Sequence, residues 1–171
     1  GCMLEKSDLE LLARHGARLV HVPVSNLKLA VERIFPHSLV QDAGIPYCFG
    51  TDGCASNNHL DILETMKFAS LLAKFCSSDP TMLPARQTFD MATQTAADIF
   101  RLGRWSIEVG ASPDIILVDL KRPEFMVYAT NGSAVNTVIC MGEVIMEDRI
   151  IPGEEEIMAR AAEAAHDLVK R

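Results

Sequence analysis

The residues most suited to chemistry lie in the segment GTDGCASNN at positions 50–58. It follows the almost wholly apolar run IPYCF at 45–49, which predicts a buried parallel strand. An acid at the carboxyl end of such a strand lies where barrel enzymes place their catalytic groups. Asp52 could there bind a metal ion and accept a proton from a bound water. The alternative is a tight turn that Asp52 only shapes or caps, and the residues alone leave both interpretations open.

A second polar pair follows the segment RLVHVPV at 18–24, which also reads as a strand. Ser25 and Asn26 end that strand, on the same predicted edge as Asp52. A role in substrate binding is one interpretation of this pair. A hydrogen-bonded turn is the other.

The histidines and cysteines build no local metal site. The five histidines contain neither an H-x-H pair nor an H-E-x-x-H helix. His21, inside an apolar strand, is interpreted as a core histidine, whereas His59 beside the Asp52 segment could line a cleft. The five cysteines include no C-x-x-C pair, which favours free thiols in a reducing cytoplasm over a zinc knuckle or a disulfide framework.

Composition excludes several classes of protein. The chain has 171 residues, a net charge of −7 and 49% hydrophobic residues, so it can build a core and is not a disordered chain. The acidic balance argues against binding to nucleic acid or to an anionic membrane. No apolar run reaches the roughly 20 residues that span a bilayer. The first six residues lack the pattern of a signal peptide, so we expect a cytoplasmic protein.

The surrounding pattern predicts an α/β protein in two parts. Helices are predicted at 7–15 with Ser7 to Glu10 as a capping box, at 36–43, from Asn58 or Asp61 to Phe75, from Pro84 to Phe100 and from 154 to 170. Strands are predicted at 114–120 and as a hairpin of 135–141 with 143–151. Residues up to about 102 therefore read as βα units, and those up to 152 as a small antiparallel element. Each part looks like a piece of a larger structure.

Two long motifs carry a resemblance to a known family. HVPVSNLKLA at 21–30, and GTDGCASNN at 50–58 followed by Leu60-Asp61, resemble the metal-dependent amidohydrolase superfamily. The closest branch contains atrazine/ammeline chlorohydrolases and S-adenosylhomocysteine/methylthioadenosine deaminases. The downstream pieces MAT at 91–93, SIEVG at 106–110, DIILVDL at 114–120 and NGS at 131–133 agree in order.

The resemblance implies the fold. Residues 1–102 would be about the last two βα units of a (β/α)8 TIM barrel, with residues 103–152 forming part of a small β-sandwich and residues 153–171 a C-terminal helix. It also implies the site. Asp52 would bind a catalytic zinc or iron ion, one divalent ion in the complete protein, and act as base toward its water. Ser25, Asn26, Ser56 and Asn57 would bind the substrate.

The implied reaction is deamination or dechlorination of a nitrogen heterocycle, such as an adenosine derivative or an s-triazine, by metal-activated water. The residues after Asp52 favour the nucleoside-deaminase side. The expected partner is thus a small heterocyclic molecule, with no nucleic acid and no membrane.

The departures from the family pattern set the limits of this resemblance. The family's H-x-H pair, a further histidine and a glutamate acid/base would precede the first motif, and no histidine stands in residues 1–4, which resemble the segment after strand six. A polar loop between Phe125 and Val127 and part of the turn around Arg104-Trp105 are missing, and Pro113 replaces a commoner alanine.

Three hypotheses follow. The first is the C-terminal part of a deaminase or chlorohydrolase that binds zinc weakly and is inactive alone, because one carboxylate cannot supply three protein ligands. The second is a catalytically inactive barrel fragment that self-associates into a homo-oligomer to cover its strand edges. The third is an independent α/β domain with a turn aspartate.

Overall fold

The computed structural model describes residues 1–103 and 106–170. The predicted shortening at Arg104-Trp105 therefore lies outside the described residues. The chain divides into two compact units: Gly1–Ser112 with Leu120–Ala134, and Pro113–Asp119 with Val135–Arg171. The expected α/β class is confirmed, since the first unit combines helices with parallel strands and the second contains an antiparallel sheet.

The first unit begins with α1 (Lys6–Arg14), β1 (Leu19–His21), α2 (Pro23–Lys28), α3 (His37–Asp42), β2 (Tyr47–Phe49) and α4 (Cys54–Asn57). It continues with α5 (Ile62–Ser77), α6 (Ala85–Ala92), α7 (Gln94–Phe100) and two short 3-10 turns, Pro123–Phe125 and Gly132–Ala134. The second unit contains β3 (Ile115–Val118), β4 (Val135–Cys140), β5 (Glu143–Met146) and α8 (Glu154–Val169). None of the described helices combines the length and apolar character needed to cross a bilayer.

The parallel pair of β1 and β2 organises the first unit. Leu19 pairs with Tyr47 and His21 with Phe49, so the two strands end at the same edge. All three residues of β2 are buried, and α5, α6 and α7 pack against this strand. At Gly50, just after β2, a Cβ atom would lie 2.7 Å from Val20 Cγ1 of β1. The backbone after β2 therefore lies so close to β1 that only glycine fits at this position. In the described part of the chain β1 and β2 pair only with each other, and the expected self-association stays a prediction.

Three local predictions need correction. β1 ends at His21, and Ser25 and Asn26 lie inside α2 rather than at a strand end. The reason is Pro23, which has no N–H for a sheet and whose fixed φ suits the first turn of a helix. The capping box of α1 uses Glu5 and Asp8, not Ser7 and Glu10.

The helix expected from Pro84 to Phe100 is two helices that meet at Thr93. Its backbone is far from helical, with φ −122° and ψ −93°. The Thr93 hydroxyl donates to the carbonyl oxygen of Phe89 at 2.8 Å, a local bond that competes with the helical pattern. The helical spacing of apolar residues runs across 84–100 without interruption, so the sequence did not reveal the break between the two helices.

Asp61, one of the two caps predicted for α5, begins the longest helix of this unit. Its Oδ1 accepts hydrogen bonds from the backbone N–H groups of Leu63 at 2.9 Å and Glu64 at 3.1 Å. Its Oδ2 accepts from the N–H of Gly132 at 2.7 Å. One carboxylate thus caps α5 and also fixes the segment around Gly132, 71 residues later.

We expect Asp61→Ala to lower the free energy of unfolding by about 1–3 kcal/mol, because it removes a helix cap and leaves the Gly132 N–H without its acceptor. Urea unfolding followed by circular dichroism measures this change. Glu10→Ala, an exposed acid in α1, is the matched control and should alter stability by less than about 0.5 kcal/mol. Equal stability of the two variants would contradict the double role of Asp61.

The second unit confirms the predicted hairpin, although its second strand ends at Met146 and not at residue 151. β4 pairs antiparallel with β3 and with β5, and Cys140 lies opposite Glu143. Met141 and Gly142 between them have φ values of +51° and +84°, as a two-residue turn between twisted strands requires. The C-terminal helix predicted at 154–170 is α8, and its described residues are exposed.

Candidate active site

Asp52 lies at the carboxyl end of the parallel pair, as the sequence predicted. Only Gly50 and Thr51 separate it from the last residue of β2, and its side chain is exposed. Its φ of +62° is in the left-handed region, which Asp tolerates better than most residues. This backbone conformation turns the chain sharply out of the strand and into α4.

Two hydrogen bonds fix the Asp52 carboxylate. The Ser25 hydroxyl donates to Oδ2 at 2.8 Å, and the Gly53 N–H donates to Oδ1 at 2.7 Å. These bonds, with the Ser25 contribution the largest and a further one from Ser56, hold the pKa of Asp52 below its ordinary value. The side chain is therefore an ionised carboxylate at neutral pH, with lone pairs left for a cation or a proton.

Asn57 and Ser56 support the turn that carries Asp52. The Asn57 side-chain amide donates to the carbonyl oxygen of Thr51 at 2.7 Å, and the Ser56 hydroxyl donates to that of Gly53 at 3.1 Å. Asn57 is buried, and its Oδ1 has no hydrogen-bond partner among the described residues. The backbone on both sides of Asp52 is thus held by side chains of α4.

Asn26 lies apart from this arrangement. Its amide donates to the Sγ of the buried Cys2 at 3.1 Å. It also lines a cavity of about 280 Å³ formed with residues 1–4 and Val31. The structure therefore brings Ser25, Ser56 and Asn57 to the Asp52 turn and points the Asn26 amide toward the N-terminal segment.

His59 and Lys28 make contacts of their own near the turn. His59 Nε2 lies 2.7 Å from Glu64 Oε2, and its Nδ1 accepts from the Asp61 N–H at 3.3 Å. The Lys28 ammonium donates to Oδ1 of Asn58. His59 is thus occupied at the start of α5, and Lys28 fastens α2 to the residue that follows α4.

His21 is a core histidine, as predicted. Its ring stacks on Phe35 with centroids 4.4 Å apart and meets the edge of Phe49. Burial, followed by the charge of His37, lowers the pKa of His21 to about 3. Its Nδ1 is buried with no hydrogen-bond partner among the described residues, a feature the sequence could not reveal.

The groups around Asp52 can supply one ligand to a divalent cation. An ionised carboxylate is an oxygen ligand for zinc, and catalytic zinc takes three protein ligands. No group of three or more His, Cys, Asp or Glu side chains that could hold a metal occurs within residues 1–103 and 106–170. The described residues therefore fit one coordination position and not a whole site.

Comparison with known proteins identifies the class. The model of the amidohydrolase family matches residues 1–145, and the chain belongs to this family. The expected family is thereby confirmed, and the roles implied for the residues of the two long motifs stay predictions.

Comparison with individual proteins indicates more than the family model does. The chain is 46% identical over 180 aligned residues to a 5'-deoxyadenosine deaminase of Methanoregula boonei, a match that covers 100% of this chain and 41% of the relative. An adenosine deaminase structure from Xanthomonas campestris with bound zinc is similar with a TM-score of 0.86 and 32% identity, over 99% of this chain and 41% of that one. An atrazine chlorohydrolase from Arthrobacter aurescens, complexed with zinc, shares the fold with a TM-score of 0.77 and 24% identity, over 95% of this chain and 39% of that one. The chain spans about two fifths of the length of these proteins.

Proposed function

We propose that this chain is the C-terminal part of a metal-dependent hydrolase that deaminates an adenosine derivative. The observation that carries the proposal is the Asp52 carboxylate, ionised and fixed at the carboxyl end of two parallel strands. The 46% identity to a 5'-deoxyadenosine deaminase supports the substrate class. Residues 1–102 would then be barrel units, residues 103–152 part of a β-sandwich, and residues 153–171 a terminal helix.

The chemistry that a bound zinc or iron ion supplies in such an enzyme is a water molecule acidified toward neutral pH. Asp52 would contribute one ligand and accept a proton from the attacking water at a carboxylate oxygen. It would then return that proton to the departing amino nitrogen. The attack would fall on the electron-poor ring carbon that carries the amino group, and ammonia would leave.

Substrate contacts fall to the predicted residues that remain partly exposed. Ser56 lies on α4 directly beside the Asp52 turn and is half-buried. Asn26 is also half-buried and lines the cavity beside residues 1–4. We assign Ser56 to the part of the substrate pocket beside the Asp52 turn and Asn26 to the part beside residues 1–4. The Ser56 hydroxyl and the side-chain oxygen of Asn26 can there bond to a heterocycle or a sugar.

The test is an assay of the longer protein that includes this chain. We expect it to release ammonia from 5'-deoxyadenosine or 5'-methylthioadenosine, and the absorbance change of the purine ring measures this reaction. We expect it to release chloride from a chlorinated s-triazine far more slowly. The chain alone should bind zinc below stoichiometry and turn over neither substrate, since it offers one ligand.

Each arm of this assay can contradict a different part of the proposal. Faster chloride release would replace deamination by dechlorination as the activity. Stoichiometric zinc and rapid turnover by the chain alone would contradict its assignment as a partial site.

A further inference from the structure

Ser25 is held away from solvent beside the proposed catalytic carboxylate. It is 1% exposed, although it follows β1 by only four positions and lies on a short helix at the edge where the strands end. A substrate in an open pocket cannot reach a side chain this deeply buried. Its hydroxyl hydrogen is already donated to Asp52 Oδ2 at 2.8 Å.

The Ser25 bond differs in origin from the other bonds around Asp52. The donor to Oδ1 is the next residue, Gly53, and the Asn57 amide acts on the Thr51 carbonyl within the same turn. Ser25 precedes Asp52 by 27 residues and reaches it from α2. This bond therefore couples the end of one strand to the end of its neighbour.

The geometry makes the Ser25 bond decisive for the orientation of the carboxylate. The Gly53 N–H holds only Oδ1, and the Ser56 hydroxyl, which donates to the Gly53 carbonyl oxygen at 3.1 Å, contributes less to the low pKa of the carboxylate than Ser25 does. Without Ser25 the exposed side chain can still swing about the Gly53 contact. The second bond, at Oδ2, removes this freedom. A carboxylate that binds a cation and moves a proton needs this orientation fixed before the substrate arrives.

We propose that Ser25 is a positioning residue that orients the Asp52 carboxylate through its buried hydroxyl, and that it makes no contact with substrate. This inference rests on the proposed function, because it assigns Ser25 a role toward the residue that carries that function. It replaces the substrate-binding role that the sequence predicted for Ser25. Helix α2 holds Ser25 in place, and Pro23, the first residue of α2, is buried like Ser25.

The test compares Ser25→Ala with wild type in the longer protein. We expect kcat and zinc affinity to fall by about 10- to 100-fold, as for other residues that orient a metal ligand, while KM changes by less than about twofold. Ser25→Cys keeps the size and a weak donor, so its kcat should lie between those of the other two. Ser77→Ala removes a hydroxyl that bonds to the carbonyl oxygens of Ala73 and Lys74 and to the N–H of Asp79 at the end of α5, and it should leave all three quantities unchanged.

A crystal structure of this chain carrying Ser25→Ala supplies a readout independent of activity. We expect the carboxylate of Asp52 to rotate away from its present position while the backbone of the turn is retained by Asn57. A rise in KM alone would overturn the inference in favour of a substrate contact. Wild-type kcat and zinc affinity, or an unmoved carboxylate, would also overturn it.

An inactive wild-type protein is a separate result, because it would contradict the proposed function. In that case the zinc affinity and the crystal structure of the Ser25→Ala chain still decide whether Ser25 positions Asp52.

Discussion

Replacing Asp52 with asparagine in the longer protein should lower kcat/KM for the adenosine derivative by about 1000-fold, the scale expected when a positioned acid–base group is lost. The amide has no charge, binds a divalent cation poorly and cannot accept the proton of the attacking water. It also offers one acceptor where Ser25 and Gly53 each donate to an oxygen of the carboxylate. The substitution therefore removes the ligand charge and disturbs the turn at the same time.

Asp79→Asn provides a matched control. Asp79 Oδ1 accepts from the backbone N–H of Thr81 at 2.8 Å and from its hydroxyl at 2.7 Å, and these bonds lower its pKa as the similar bonds do for Asp52. It lies in the loop after α5 and has no proposed catalytic role. Steady-state kinetics with zinc analysis should show a wild-type rate for Asp79→Asn. An Asp52→Asn enzyme that retains a tenth of the activity would contradict the role assigned to Asp52.

The part of the site that depends on local sequence was predictable. An acid just after a buried apolar run marks the end of a parallel strand, which placed Asp52 correctly. The Asp61 cap and the hairpin turn at Gly142 follow from short-range patterns of the same kind. In each case the residues that determine the conformation are close together in the chain.

The parts that depend on contacts between distant segments were not predictable. Nothing in the sequence around Ser25 indicates that its hydroxyl meets a carboxylate 27 residues away, and its polarity instead favoured a substrate-binding interpretation. The burial of Asn57 is another feature that the sequence did not indicate, and its substrate-binding role stays a prediction. The signal that could have found Ser25 was Pro23, which marks a helix start and turns Ser25 inward.

The second large expected effect is a loss of stability at acidic pH that is due to His21. A pKa of about 3 in the folded chain, against 6.5 for the ordinary side chain, means that the unfolded chain binds a proton between these pH values while the folded chain does not. The contribution of His21 to the free energy of unfolding is therefore fully present above about pH 6.5 and is lost as the pH falls toward 3. We expect the free energy of unfolding to drop by about 3 kcal/mol between pH 7 and pH 4.

The His37 pKa is also lowered by burial, and to a lesser degree by Lys74, so this group acts in the same direction as His21. Replacing His21 by phenylalanine separates the two contributions, since a flat apolar ring preserves the stack on Phe35 and cannot be protonated. Urea unfolding of His21→Phe at pH 7, 5.5 and 4 should show a clearly shallower loss of stability than wild type. His166→Gln, at an exposed position on α8, should keep the wild-type slope. Parallel curves for wild type and His21→Phe would contradict the contribution assigned to His21, whose buried Nδ1 has no hydrogen-bond partner within the described part of the chain.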